Sequence, residues 1–257
     1  MTIKYILKNI MGYFGLAFLF VFLIFFMDQA VLIVKEITEY EPSVSNIFLL
    51  IACTIPSSIS IGIPFAVCIG FIYGFVKIDI ISIIGKKLIY VVLIIGILLS
   101  IISYMNMKFV VPVATEYFSN LYEKIQIVNE NDCIAKVNMD VYRNSYIYKL
   151  EQHKIYVISL GTLFFSFFAV YISIILSYCK LKHNKIFVLS VGILSCIIYW
   201  ILLWAGQKIS VNYKNLLFIW IPNFFILCVS VSLWSIYKKM TANAHKNEAD
   251  IKRLGGT

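Results

Sequence analysis

Six apolar runs, at 12–34, 46–76, 88–104, 155–179, 186–206 and 216–237, leave this chain few ways to fold. Together they hold 139 of its 257 residues and one formally charged side chain, Asp28. A hydrocarbon core about 30 Å thick takes about 20 helical residues at 1.5 Å each. The runs are 17 to 31 residues long. Backbone N–H and C=O groups in lipid must be satisfied within the segment, so such runs are helices. The alternating ten-residue segments of a membrane barrel are absent. Composition agrees: 61% of residues are hydrophobic and 14% charged, against roughly 45–50% and 25% in soluble domains. Disorder, collagen and secreted disulfide scaffolds are excluded on the same grounds. The expected fold is an all-α membrane protein with six transmembrane helices arranged three plus three. The run 88–104 is the shortest and is expected to continue through Met105–Met107. The first run is too long for a signal-peptide core and no small-residue cleavage site follows it, so it reads as a retained first span.

Lys and Arg set the orientation. With the N-terminus cytoplasmic, segments 1–11, 77–87, 180–185 and 238–257 carry 13 basic residues in 48 positions. The opposite segments 35–45, 105–154 and 207–215 carry 9 in 70. Short loops decide such cases: Lys77, Lys86 and Lys87 outweigh Lys35, and Lys180, Lys182 and Lys185 outweigh Lys208 and Lys214. Both termini are therefore expected in the cytoplasm. The net charge of +9 expresses this bias and an attraction to anionic headgroups. No aromatic-basic groove accompanies it, so nucleic acid is not an expected partner.

The layout divides into residues 1–104 with three spans and the loop 77–87, an extracytoplasmic insert 105–154, residues 155–237 with three more spans, and a polar tail 238–257 expected to be mobile. Met107 to Glu123 can extend the third span outward, with a kink at Pro112. Ile134 to Leu150 is rich in Val, Tyr and Ile, as in one or two strands. In the second span Thr54, Ser58, Gly62, Ala66, Gly70 and Gly74 fall every fourth residue, which puts six small side chains on one face. Small residues let membrane helices approach closely. The face reads as packing within the chain, or as a seam that slides during transport. Pro56 and Pro64 should bend this span.

Chemistry-bearing residues are sparse. Asp28 is a charge at membrane depth, which marks a functional position unless it snorkels to the interface. Lys35 ends the first span and precedes Glu36, Glu39 and Glu41; it serves as an interfacial anchor or meets an anionic lipid headgroup. His153, His183 and His245 all lie outside the apolar runs. There is no H-E-x-x-H, no paired carboxylates within a span and no Walker motif, so no catalytic residue, metal or cofactor is expected. Cys53, Cys68, Cys179, Cys196 and Cys228 lie in or at the ends of spans and Cys133 in the insert, with no C-x-x-C; they read as small packing residues. Trp204, Trp220, Trp234, Tyr104, Tyr178 and Tyr237 near span ends fit an interfacial belt.

Several strings carry a resemblance. Lys4-Tyr5-Ile6-Leu7-Lys8 opens the first span, and Phe109-Val110-Val111-Pro112-Val113-Ala114-Thr115 follows the third. Val191-Gly192, Tyr199-Trp200 and Trp220-Ile221-Pro222-Asn223 follow in the last half. In this order and placement they resemble the LptF/LptG-type (YjgP/YjgQ) permeases, the membrane subunits of the lipopolysaccharide-export ABC transporter. The resemblance implies pairing with a second permease subunit, a paralogue or a second copy, above a cytoplasmic ABC ATPase dimer. It implies extraction of lipopolysaccharide or another lipid from the inner membrane, with the first and fifth helices as lateral gates and Lys35, with Asp28, at the headgroup. ATP hydrolysis then falls to the separate subunit. It also implies ATPase coupling through the loop of Lys77, Asp79, Ser82 and Gly85, and delivery to a periplasmic bridge protein.

Two departures accompany it. The family's insert is a β-jellyroll, and eight strands of about 5–6 residues with turns take roughly 70 residues; the insert has 50. The coupling loop is also short and apolar. They motivate an alternative reading, a degenerate permease-like scaffold or partner subunit without transport of its own. An intramembrane enzyme has no residues to support it.

Overall fold

The computed structural model describes residues 3–40, 42–77, 86–129, 146–179 and 184–254. Six helical segments among them are long and apolar enough to cross a membrane: Leu7–Ile37, Val44–Lys77, Val92–Ile125, His153–Tyr178, Lys185–Tyr213 and Leu216–Lys239. The all-α six-span expectation is met. The elements in chain order are α1 (Ile3–Ile37), α2 (Val44–Cys53), α3 (Ile55–Lys77), α4 (Lys86–Met105), α5 (Val111–Asn129), α6 (Tyr146–Tyr178), α7 (Lys185–Tyr213) and α8 (Ile221–Leu254). A π-helical turn, Asn106–Val110, joins α4 to α5, and a 3-10 turn, Leu216–Trp220, leads into α8.

The second and fourth spans form the centre. Of their most apolar windows 78% and 61% are buried, against 11% to 28% for the other four. α3 and α6 run parallel, with Phe65 against Phe165 at 6.3 Å and the Ser173 hydroxyl donating to Ile72 O at 3.4 Å. α1 and α7 flank α3; α4 and α8 flank α6. The rule behind this is chemical. α3 buries Ser58, Ser60, Gly62, Ala66, Gly70 and Gly74, and α6 buries Ser159, Thr162, Ser166, Ala169, Ser173 and Ser177, small side chains that admit close neighbours on several sides. α1 carries large side chains nearly all round and meets the bundle on one side only.

Lys–aromatic pairs mark two planes. At the lower end Lys77 Nζ lies 4.9 Å from the Tyr13 ring centre and Lys238 Nζ 3.9 Å from that of Trp234. At the upper end Lys208 Nζ lies 4.1 Å from Trp204 and Lys108 Nζ 5.3 Å from Tyr104. The rise from Lys185 to Lys208 along α7 is about 35 Å, one hydrocarbon core plus its interfaces.

The second and third spans are both interrupted near the upper plane. The second breaks at Thr54, where the Thr54 hydroxyl donates to Ile51 O and the Ser57 hydroxyl to Thr54 O, each at 2.8 Å. Pro64 lies inside α3 and offers no N–H to the Ser60 carbonyl; the Ser103 hydroxyl of α4 donates to that oxygen at 3.5 Å. Beside it, Asn106 Nδ2 donates to Pro56 O and to Ser60 Oγ, both at 2.7 Å. The interrupted helices are thus bonded to each other at their breaks, as backbone at membrane depth requires. Above the breaks a separate apolar cluster forms from Ile33, Ile37, Leu50 and Ile125. Asn106→Leu is expected to cost about 1–2 kcal/mol, the upper range for a hydrogen bond between membrane helices. Reversible unfolding in mixed micelles measures it. Thr115→Ala, which removes an exposed bond within one helix, is the control, and equal stability of the two variants would refute the cross-link.

The outward extension of the third span is observed, and two expectations change. Helix continues past Glu123 to Asn129, with a π turn, Asn106–Val110, directly before Pro112. Residues 146–150, read as strand, are the first turns of α6; 134–145 lie outside the described residues. The tail is helix as far as Leu254, because Lys, Met, Ala, Glu and Leu follow Tyr237 with no Gly or Pro until Gly255. Of the insert 105–154, only 130–145 lie outside described helix. Sixteen residues are too few for eight strands.

Candidate functional site

The candidate site is the outward face of α1, and α3 positions it. A Cβ added at Gly70 would lie 2.6 Å from Phe14 Cα and 2.9 Å from Phe14 N. At Gly74 it would lie 3.5 Å from Ile10 Cα, and at Gly62 3.8 Å from Phe22 Cα. The backbones of α1 and α3 therefore touch, and glycine is what permits it. Ala66 and Ser58 are buried in the same helix, and Thr54 sits at its break. On another side of α3, Gly192 of α7 brings Ile69 Cα within 3.3 Å of where a Cβ would be. The Cys68 and Cys196 thiols donate across that contact to Gly192 O and Phe65 O, each at 3.8 Å.

Aromatic rings fill what the glycines leave. Phe14, Phe18, Phe22 and Phe26 stack along α1 at 6.1, 6.1 and 5.6 Å. Phe25 stacks on Phe65 at 5.6 Å and meets Trp200 of α7 at 5.5 Å. α1 and α7 thus lie side by side over α3. Asp28 and Lys35 fall two turns apart on the exposed side of α1, about 10 Å along its axis. Ile24 and Val31, 52% and 61% exposed, share that side. Glu36 is exposed next to Lys35. The Glu39 side chain and all of Glu41 lie outside the described residues. The arrangement places one carboxylate and one ammonium on an apolar helix face near the upper plane.

A second polar group lies where α6, α7 and α8 meet. Asn223 Nδ2 donates to Val157 O at 2.9 Å. The Tyr199 hydroxyl lies 3.3 Å from Val157 O and 3.2 Å from Asn223 Oδ1. Gly161 makes the room: a Cβ there would lie 2.5 Å from the Tyr199 oxygen. Pro222 is buried beside it and Trp220 packs on the core. Pro112 is exposed and Ala114 half-buried on α5. In the sequence Tyr199 and Asn223 stand out only within the Tyr199-Trp200 and Trp220–Asn223 strings, and Asn106 and Ser103 in no string at all. Their signal was available: a polar side chain inside an apolar run needs a partner there.

Of the loop residues, Lys77 ends α3 over Tyr13, while Asp79, Ser82 and Gly85 lie outside the described residues, as do Cys133 and His183. Among the described residues no three His, Cys, Asp or Glu side chains come together as metal ligands would.

Comparison with known proteins adds one match. The family model described as lipopolysaccharide export system permease LptF/LptG matches residues 4–79 and 134–237. It spans the first two and the last three membrane helices, includes Asp28, Lys35 and Asp79, and leaves out 80–133, where Pro112 and Ala114 lie. No curated protein matches the chain.

Proposed function

The chain belongs to the LptF/LptG lipopolysaccharide export permease family, and from that premise we propose that it is a transport subunit extracting lipopolysaccharide, or a lipid with a similar phosphorylated headgroup, from the inner membrane. It is a multi-pass inner-membrane protein of a permease family, not of an enzyme family. The observation that carries the proposal is the outward face of α1. Only 11% of the most apolar window of the first span is buried, yet its outward face bears Asp28 and Lys35. A charge at membrane depth calls for a polar partner. A lipid phosphate pairs with the Lys35 ammonium at the end of the span, while the Asp28 carboxylate takes its donor from a second permease subunit, which faces α1 and α7 and closes the space.

The positive-inside bias supports cytoplasmic termini, with the lower plane of Lys77 and Lys238 facing the cytoplasm. The loop 77–87 then faces a cytoplasmic ATPase dimer, with Lys77, Asp79, Ser82 and Gly85 as the contact. The domain reading follows: two three-span units, 1–104 and 155–237, an insert 105–154 and a cytoplasmic tail 238–257. The helical extension above the upper plane takes the place of the jellyroll, so a periplasmic bridge protein would meet helix.

Two charge reversals test this. A photo-crosslinking residue placed at Val31, in membranes containing lipopolysaccharide, reports lipid contact, and affinity purification reports the ATPase. Lys35→Glu is expected to lower lipid crosslinking about tenfold, the scale of one charge-assisted contact, and to leave ATPase copurification intact. Asp79→Lys is expected to do the reverse. A chain that retains neither lipid nor ATPase in its unaltered form is the scaffold of the alternative reading, not a permease.

A further inference from the structure

A second group of polar side chains gathers on the flank of α6, away from Lys35, whose helix packs on α3. Tyr104 and Lys108 sit one turn apart at the upper end of the third span. Lys108 Nζ lies 5.3 Å from the Tyr104 ring centre and 5.7 Å from that of Phe109. The Tyr104 ring stacks on Tyr156 of α6 at 5.7 Å and 29°. His153 stands edge-on to Tyr156 at 6.4 Å and 78°. One ammonium, two phenols and one imidazole from two helices therefore share one patch. Lys108 itself lies on the π turn, a feature frequent at functional positions.

We propose that this patch is a binding site for the phosphate of an anionic lipid headgroup, separate from the α1 face. Three observations carry it. The donors lie at the outer end of the third span, where Lys108 follows the apolar run and stands against the Tyr104 ring as lysines at an interface do. The surface below them is apolar and open, with Ile101, Met105 and Leu160 exposed, as acyl chains require. The gathering also exceeds an ordinary interfacial belt: at Trp204 and Trp234 a lysine covers one ring of its own helix, whereas here the ring under the lysine stacks on a tyrosine of a second helix, which a histidine adjoins. Lysine brings the charge, and phenol and imidazole N–H or O–H groups complete the shell of a multi-oxygen anion. The site does not depend on the transport role proposed above.

Native mass spectrometry of the full chain, released from micelles and titrated with phosphatidylglycerol or phosphatidylcholine, tests it. The expected result is one phosphatidylglycerol retained more tightly than the rest and more tightly than phosphatidylcholine. Lys108→Ala should weaken that binding about tenfold or more, Lys108→Arg should keep it, and Tyr104→Phe with Tyr156→Phe should weaken it several-fold. The phenylalanine pair preserves ring stacking, so it removes hydroxyls without unpacking the helices. Lys208→Ala is the comparison, and circular dichroism checks that each variant is folded. Two results overturn the proposal: Lys108→Ala behaving as Lys208→Ala does with the hydroxyls dispensable, which leaves an interfacial belt only, or inorganic phosphate alone displacing the lipid, which makes a free anion the ligand.

Discussion

Gly70→Ala is expected to lift α1 off α3 and lower stability by about 1–3 kcal/mol, the usual penalty for overpacking a tight contact; Gly70→Leu should prevent α1 from docking. The new Cβ would fall 2.6 Å from Phe14 Cα and 2.9 Å from Phe14 N. Both are backbone atoms, so no rotamer change relieves the clash. α1 has little else to hold it, since its face away from α3 is exposed. Gly12 and Gly15 give an internal control, because a Cβ at either meets nothing within 4 Å. Gly12→Ala and Gly15→Ala should be neutral or gain up to about 0.5–1 kcal/mol from helix propensity. Unfolding in mixed micelles ranks the four variants. A disulfide between cysteines replacing Tyr13 and Tyr73, whose rings are 5.2 Å apart, reports docking directly. If Gly70→Ala unfolds with Gly12→Ala and still forms that disulfide, the close approach is wrong. Because Lys35 rides on the same helix, lipid contact at position 31 should fall with docking in the Gly70 variants.

Tyr199→Ala is expected to cost about 3–5 kcal/mol, the range for emptying a buried aromatic site. Tyr199 is 1% exposed, 5.0 Å from the Phe165 ring and 6.1 Å from that of Phe65. Most of the loss is packing. Tyr199→Phe keeps the ring and gives up the hydroxyl, which averages about 0.6 kcal/mol between membrane helices and reaches about 1.7. Gly161 sharpens the test. Its added Cβ would strike the Tyr199 oxygen at 2.5 Å but the ring carbon behind it only at 3.1 Å. Gly161→Ala should therefore be more harmful in the unaltered chain than beside Tyr199→Phe, a non-additivity that a double-mutant cycle reads. Additive losses would mean that the hydroxyl does not occupy the space over Gly161.

Asp28 and Lys35 could be singled out in the sequence because a charge in or beside an apolar run is conspicuous in one dimension. The node of Tyr199, Asn223 and Val157 O could not, since its members stand 24 and 66 residues apart. The same holds for Asn106, whose partners lie 46 and 50 residues before it. Pro112 marked an expected kink in the extension of the third span, because a proline costs a helix one hydrogen bond; a π turn stands directly before it. The four-residue spacing from Thr54 to Gly74 showed a small-residue face but not its occupant. A helix face names the shape of its neighbour and not which neighbour, and α1, α6 and α7 all had sides to offer.

Length and apolarity alone determined that this chain crosses the membrane six times as helices, because lipid provides no other partner for the backbone. The charge bias gave an expected orientation for the same reason: the cost of moving lysine across is local to each loop. Tertiary structure decided which helices lie at the centre. All six runs are apolar, so hydrophobicity cannot rank them, and lipid solvates an exposed leucine as well as a packed one. Close packing and buried polar bonds break that tie. They place α3 and α6 inside and leave the charged face of α1 uncovered.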